Sequence, residues 1–264
     1  MPADFDALVA EALAEPTEGW NFARFAGRMR STNPSWRYWD LVAEAAASAP
    51  SLLDLGTGGG EQLAEFRERG AARPRLTVAT ESWPPNVPVA GRRLAPLGIP
   101  VVQTEGAARN DEQAADELLG RLPFRDGAFA LVIDRHEAFN AREVARVLAP
   151  EGVFITQHVG SDYRDLHDLL DEPWTPVAPV DRALIARQVT AAGLTVEEGD
   201  EAELVLTFAD IGALGWYLRQ VSWAVPTVDV ERDPGRLRAA HDRIRSDCPL
   251  RVRQQTFWLR AVKR

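Results

Sequence analysis

The chain has 264 residues, 45% of them hydrophobic and 26% charged, a composition that is typical of folded globular proteins and argues against disorder. Its formal net charge of −9 disfavours nucleic acid as a partner, because proteins that bind nucleic acid usually neutralise phosphates with a basic surface. One cysteine allows no intrachain disulfide, and four histidines without paired spacing predict no metal site.

An N-terminal segment, residues 1–49, is predicted to be largely helical, because apolar side chains recur at helical spacing between Phe5 and Leu13. From residue 51 onward, short apolar runs alternate with helical patterns. These runs predict strands at Ser51–Leu55, Leu76–Thr80, Pro100–Thr104, Phe129–Ile133 and Gly152–Thr156. Strands that are separated by single helices indicate parallel βαβ units with helices on both faces of the sheet.

The C-terminal part of the chain departs from this alternation. It is predicted to contain three strands and two helices, namely strands Leu194–Val196, Leu204–Phe208 and Thr256–Val262 and helices Asp210–Val221 and Pro234–Arg245. Late strands around inserted helices predict an antiparallel edge on the same sheet. We therefore expect an α/β fold with a doubly wound, mostly parallel, seven-stranded sheet, an antiparallel edge strand and helical caps.

A glycine-rich turn follows the first predicted strand directly and leads into a helix. Asp54 precedes it by two residues, and its glycines stand at Gly56, Gly58 and Gly60. Glycines let the backbone bend sharply and let a ligand approach the main chain, and free N–H groups at a helix start favour polar or anionic ligand groups. A dinucleotide-binding turn would place its third glycine at position 61, which is Glu61 here.

Two further stretches complete a set of ordered motifs. One runs from Leu122-Pro-Phe124 to Phe129-Ala-Leu-Val132, and the other is Arg146-Val-Leu148-Ala-Pro150-Glu-Gly152. In these motifs, over residues 52–159, the chain resembles class I S-adenosylmethionine (SAM) dependent methyltransferases, in particular their small-molecule, type 11-like branch. It departs from the family pattern at Ala130 and Glu151. The resemblance implies SAM as cofactor and one domain of residues 1–264, with 1–49 as a helical cap, 50–160 as the cofactor-binding core and 161–264 carrying cap helices and edge strands.

The resemblance also implies roles for individual residues. Those around the methionine end of SAM would be Asp54, Gly56, Thr57, Gly58 and Gly60. Glu81, at the end of the second strand, would bind the ribose, with Ser82 and Trp83 beside the adenine. Arg135 and His136 follow the fourth strand and would face the cofactor. The adenine contact after the third strand stays unplaced.

Candidate catalytic residues are His136, Glu137 and His158. Histidine is suited to removing a proton near neutral pH, so either histidine is a candidate base, and each has the alternative of simply packing or capping. Glu137 could orient His136 or cap the next helix. Aromatic residues that could stack on a planar acceptor are Trp20, Trp36, Tyr38, Trp216, Tyr217 and Trp223, and for each of them a place in the core is the alternative.

The sequence thus predicts a cytoplasmic enzyme, a monomer or homodimer, that transfers a methyl group from SAM to a small aromatic or heterocyclic metabolite, with neither nucleic acid nor membrane as partner. No apolar run approaches the length of a membrane span, and no secretory signal is visible at the N-terminus. Two alternatives remain open. One is a SAM-binding protein with a non-methylating or regulatory role, and the other is an NAD-dependent oxidoreductase.

Overall fold

Eight strands form one sheet in the described part of the chain, which in this computed structural model comprises residues 4–17, 25, 27–70, 74–107, 119–174, 180–247 and 249–264. Strands β1 to β8 span Met29–Ser31, Ser51–Leu55, Leu76–Glu81, Val101–Gln103, Phe129–Arg135, Leu148–Val159, Leu194–Phe208 and Leu250–Lys263. Their order across the sheet is β1-β7-β8-β6-β5-β2-β3-β4.

Helices separate most of these strands. Helices α1 to α9 span Phe5–Ala14, Tyr38–Ala46, Glu61–Glu68, Asn86–Leu94, Ala141–Val147, Arg164–Leu169, Arg182–Ala191, Ile211–Gln220 and Pro234–Asp247. No helix within the described residues is both long enough and apolar enough to span a bilayer.

The doubly wound, mostly parallel sheet is confirmed. Strands β4, β3, β2, β5 and β6 pair in parallel, whereas β8 is antiparallel to β6 and β1 is antiparallel to β7. The chain order reverses between β2 and β5, which lie side by side at the centre. In sheets of this kind, ligands bind outside the carboxyl ends of the strands at that point.

The sheet has eight strands where seven were expected. Strand β1 is three residues long and lies inside the segment predicted to be helical, where an edge strand of Met29–Ser31 leaves no apolar pattern. The predicted strands at 194–196 and 204–208 are one continuous strand, β7, because its exposed middle carries charged residues that still hold strand geometry.

The described residues divide into two compact units. The core unit comprises residues 35–160, 178–202 and 256–264, and both faces of its central strands are buried. Leu53, Val132 and Phe154 belong to the apolar cluster on one face, whereas Leu52 and Ile133 belong to the cluster on the other. Side chains alternate between the faces of a strand, so two helix layers need two apolar sets.

The accessory unit comprises residues 1–34, 161–177 and 203–255 and has an apolar cluster of its own, built from α1, α6, α8 and α9. Trp216 of α8 stacks on Phe25 with ring centroids 5.2 Å apart. Arg28 donates to Asp210 at 2.7 Å and to Glu11 at 2.8 Å. That residues 1–264 act as a single domain stays a prediction.

Candidate functional site

The glycine turn connects β2 to α3 within the core unit. Gly56, Gly58 and Gly60 have φ values of 62°, 62° and 77°, which residues other than glycine rarely adopt. The backbone is held by its own hydrogen bonds, since the Thr57 N–H donates to the carbonyl of Thr80 at 2.8 Å. The turn is therefore a rigid main-chain surface and not a loose connection.

Glu81, the last residue of β3, fixes the turn from the neighbouring strand. Its Oε2 accepts the Gly58 N–H at 2.6 Å, and its Oε1 accepts the Trp83 N–H at 2.8 Å. Burial raises the pKa of Glu81, and these amide hydrogen bonds partly offset that rise. Each oxygen keeps a second lone pair, so the carboxylate can still accept hydrogen bonds from a ligand hydroxyl.

Glu137 lies directly against the turn. Its Cβ is 2.5 Å from the position that a Cβ on Gly56 would take, so only glycine fits there. Its Oε1 accepts a hydrogen bond from Ser82 Oγ at 2.9 Å. His136, with φ of 71°, turns the chain back after β5 and places Glu137 over the end of β2. Burial raises the pKa of Glu137 to about 7.

These groups surround a cleft at the carboxyl edge of the core unit. The cleft has an empty volume of about 330 Å³, part of it open to solvent, and Gly56, Ser82, Gly106 and Glu137 are among the residues that line it. Asp54 is buried under the turn. Its pKa is raised to about 7, mainly by desolvation and to a smaller extent by the nearby carboxylates of Asp134 and Glu81. Arg135 lowers the pKa of Asp54, but the effect of burial is larger, so the edge holds two buried carboxyl groups, Asp54 and Glu137, that form no ion pair within the described residues.

Asp134 is fully buried at the end of β5 and binds several groups. Its Oδ2 accepts from Thr156 Oγ1 at 2.5 Å and lies 2.8 Å from His158 Nε2, while its Oδ1 accepts the Glu137 N–H at 3.2 Å. His158 is 4% exposed and stacks on the ring of Phe257. The imidazole thus faces a carboxylate inside the core unit.

Two of the predicted aromatic residues lie at the same edge, before and at the start of α2. Tyr38 is buried, and its hydroxyl donates to the carbonyl of Asp134 at 2.9 Å. The Trp36 indole N–H donates to Gln157 Oε1 at 2.8 Å. Arg135 lies beside them, with its guanidinium carbon 6.0 Å from the centre of the Tyr38 ring.

The other predicted aromatic residues belong to the accessory unit, except Trp20, which lies outside the described residues. Trp216 and Tyr217 are buried in its core, and the Tyr217 hydroxyl accepts from Gln254 Nε2 at 3.2 Å. Trp223 is 53% exposed, and its indole N–H donates to the Tyr163 hydroxyl at 3.3 Å. Their proposed contact with an acceptor remains a prediction.

The core unit thus brings together the residues that were predicted for the cofactor and for catalysis. Trp83, next to Glu81, is 42% exposed, and His136 is exposed at the end of β5. Sequence reasoning missed Asp134, Gln157 and Trp258 as members of this edge. The polar Asp134 at a strand end was a visible signal, whereas Trp258 depends on the pairing of β8, which the sequence does not reveal. No three His, Cys, Asp or Glu side chains of the described chain are grouped to hold a metal ion.

The comparisons with known proteins rest on structure. No family model matches this chain, and no curated protein matches its sequence. A candidate methyltransferase from Bacillus halodurans C-125 superposes with a TM-score of 0.55 at 17% identity, covering 85% of this chain and 96% of that protein. A SAM-dependent methyltransferase from Aquifex aeolicus gives 0.50 at 13% identity, covering 99% and 100%.

The [4+2]-cyclase SpnF also superposes, with a TM-score of 0.50 at 17% identity over 85% of this chain and 80% of that one. The chain has the class I SAM-dependent methyltransferase fold. This fold confirms the predicted architecture and leaves the reaction open, since one fold hosts several chemistries.

Proposed function

We propose that this protein binds SAM at the glycine turn and transfers its methyl group to a small acceptor, aromatic or heterocyclic in character. The observation that carries the proposal is the link between Glu81 and the Gly58 N–H, because it joins a bare main-chain turn to a buried carboxylate on the next strand. A nucleoside ligand needs both elements, a backbone surface for its tail and an acceptor for its ribose hydroxyls.

The buried carboxyl groups of the edge favour a cation, which supports SAM as the ligand. Burial raises the pKa of both Asp54 and Glu137 to about 7, so each carboxyl is poorly stabilised in its charged form. A sulfonium and an ammonium group placed nearby would stabilise those charges. In this proposal Glu81 binds the ribose, Ser82 and Trp83 flank the adenine, and Gly56, Thr57 and Gly60 face the methionine tail.

Methyl transfer requires an acceptor atom that is unprotonated and aligned, since the bound cofactor supplies the reactive methyl group. We assign the removal of the acceptor proton to His136, because it is exposed at the end of β5. His158 is nearly inaccessible and faces Asp134, so it is better suited to hold that carboxylate in place. Trp36 and Tyr38 would lie beside the acceptor.

Calorimetric titration with S-adenosylhomocysteine tests the binding step. Glu81→Gln should weaken binding about tenfold or more, because a charged acceptor of ribose hydroxyls is lost. Glu68→Gln, at the exposed end of α3, is the matched control and should bind like the wild type. Absence of binding to wild type, or stabilisation by NADH alone, would refute the proposal.

Turnover is tested with SAM that carries a labelled methyl group and a panel of phenols and heterocycles. We expect label in an acceptor with the wild type and strong loss with His136→Gln, whereas His158→Gln should lower thermal stability as well as rate. A non-methylating role is the second candidate, favoured by the shared fold of the cyclase SpnF. Tight binding of SAM without label transfer to any acceptor would support that candidate.

A further inference from the structure

Three side chains form a row across neighbouring strands of the core unit. Arg135 of β5 is paired with Gln157 of β6, and Gln157 is paired with Trp258 of β8. Residues opposite one another on adjacent strands project to the same face of a sheet, so the three side chains lie on one face. The row ends beside the glycine turn, because Arg135 Nη1 lies 3.4 Å from Gln62 Oε1 in the first turn of α3.

This row offers hydrogen-bond donors without acceptors. The Nε of Arg135 and the Nε1 of Trp258 are buried, and neither has a hydrogen-bond partner within the described part of the chain. The amide oxygen between them, on Gln157, already accepts from the indole of Trp36. Buried donors are nearly always paired in folded proteins, so an acceptor from outside the described residues, such as a ligand, would complete these two donors.

The charge of Arg135 is only partly offset, by the nearby Asp54, and desolvation outweighs that effect. Among the residues that the structure describes, no carboxylate forms an ion pair with it, whereas Arg93 pairs with Glu61 and Arg146 with Glu143. Desolvation lowers the pKa of Arg135, yet a guanidinium keeps its charge at any physiological pH. A largely buried cation with unpaired donors is a receptor for a planar anion, and a carboxylate matches its geometry best.

We propose that Arg135 binds a carboxylate of a ligand in the core unit, on the sheet face that also carries the unpaired N–H of Trp258 two strands away. This rests on the proposed function, and it names the group that the site recognises. Two ligands could supply that group, the amino-acid tail of SAM or an acidic acceptor. Either ligand would present a carboxylate to Arg135. Two nucleosides, one with the amino-acid tail and one without it, distinguish the two sources.

The experiment measures dissociation constants by calorimetry for S-adenosylhomocysteine and for 5′-methylthioadenosine, which lacks the amino-acid tail. Benzoate and neutral benzamide are added to the S-adenosylhomocysteine complex in a thermal-shift assay. The variants are Arg135→Gln, Arg135→Lys, and Arg92→Gln as a control on the exposed surface of α4. Arg135→Gln should fold normally, because it removes an unpaired buried charge, and its melting temperature without ligand checks this.

If the tail of SAM is the partner, Arg135→Gln weakens S-adenosylhomocysteine about 10- to 100-fold and leaves 5′-methylthioadenosine unchanged. If the acceptor is the partner, both nucleosides bind as before, and the stabilisation by benzoate, absent with benzamide, is lost. The affinity of Arg135→Lys should lie between those of the wild type and Arg135→Gln, because lysine keeps the charge but lacks the planar, two-point geometry of the guanidinium. Unchanged binding of both S-adenosylhomocysteine and benzoate would overturn the proposal.

Failure of the proposed function has a different signature. In that case the wild type binds neither nucleoside, and the benzoate arm alone decides the role of Arg135. Loss of benzoate stabilisation in Arg135→Gln would then still support a carboxylate receptor, and an unchanged or absent response would reject it.

Discussion

The two units of the protein differ in whether certain of their charged side chains form ion pairs. In the accessory unit, Arg28 is paired with Asp210 and Glu11, and hydrogen bonds from Arg253 hold the pKa of Asp165 below its ordinary value. In the core unit, burial raises the pKa of Asp54 and Glu137. The accessory unit therefore satisfies its charges internally.

At one edge of its sheet, the core unit holds Arg135, Asp54 and Glu137, and none of the three forms an ion pair among the described residues. Arg135 acts on Asp54 and lowers its pKa, but burial outweighs this effect and raises that pKa overall. A protein keeps such an arrangement where a ligand completes it, because the cost in stability is otherwise uncompensated. The ligand is therefore expected at this edge of the core unit and not in the accessory unit.

The largest expected effect comes from filling the turn. Gly56→Ala should abolish detectable binding of S-adenosylhomocysteine and lower the free energy of unfolding by about 3 kcal/mol, since the new Cβ meets Glu137 at 2.5 Å in a left-handed backbone. Chemical denaturation and calorimetry measure the two effects.

Gly91→Ala is the control for that substitution. Nothing lies within 4 Å of a Cβ there, and the residue is inside α4, so alanine should stabilise the fold by about 0.5–1 kcal/mol and leave binding intact. Combining Gly56→Ala with Glu137→Gly should recover part of the lost stability. If the double variant regains no stability, steric overlap with Glu137 is not the cause of the loss in Gly56→Ala.

In the accessory unit, Asp210→Ala should act on stability alone. It removes the partner of Arg28 and the cap of α8, since Asp210 Oδ1 also accepts the Ala213 N–H at 3.0 Å. We expect a loss of about 3 kcal/mol in the free energy of unfolding. Binding of S-adenosylhomocysteine to the folded variant should stay within twofold of the wild type. A larger change would contradict the expectation that this part of the accessory unit affects stability alone.

Much of the core unit was predictable, because its signals are local. Short apolar runs, glycines at fixed spacing and a carboxylate at a strand end identify β2, β3 and Glu81 directly. The contact between Glu137 and Gly56 was not predictable, because the two residues are 81 positions apart in the chain. They meet only because His136 adopts a left-handed backbone conformation. The pairing of Gln157 with Trp258 needs the register of β8, which no local pattern encodes.

Glu137→Gln tests whether the buried carboxyl group of the core unit makes stability depend on pH. Burial raises the pKa of Glu137 from 4.5 to about 7, so the folded state binds a proton that the unfolded chain has released, and stability falls as the pH rises from about 4.5 to 7. Glutamine removes this dependence. At pH 8 the variant should be more stable by on the order of 2 kcal/mol, and at pH 4 the two should agree.

Thermal unfolding of both proteins between pH 4 and 8 measures that difference. Ser82 still offers its hydroxyl to the amide oxygen, so the hydrogen bond at 2.9 Å has a replacement partner. Parallel stability curves for wild type and variant would mean that Glu137 does not carry a raised pKa.

The smallest expected effect lies far from the charged edge. Glu151, within β6, has a φ of 59°, a backbone conformation that favours glycine. Glu151→Gly should stabilise the core unit by about 0.5 kcal/mol, because relief of backbone strain outweighs the added flexibility of the unfolded chain. Urea denaturation resolves this change, and a loss of stability would show that the ion pair of Glu151 with Arg264 matters more.

Tyr38 and Trp36 tie the entrance of α2 to two adjacent strand ends, through the carbonyl of Asp134 and the amide of Gln157. The tethered atoms belong to residues that flank or form the Arg135 row. Residues 36–38 therefore fix the start of α2 to the ends of β5 and β6, so the position of this helix depends on the same two strand ends that carry Arg135 and Gln157.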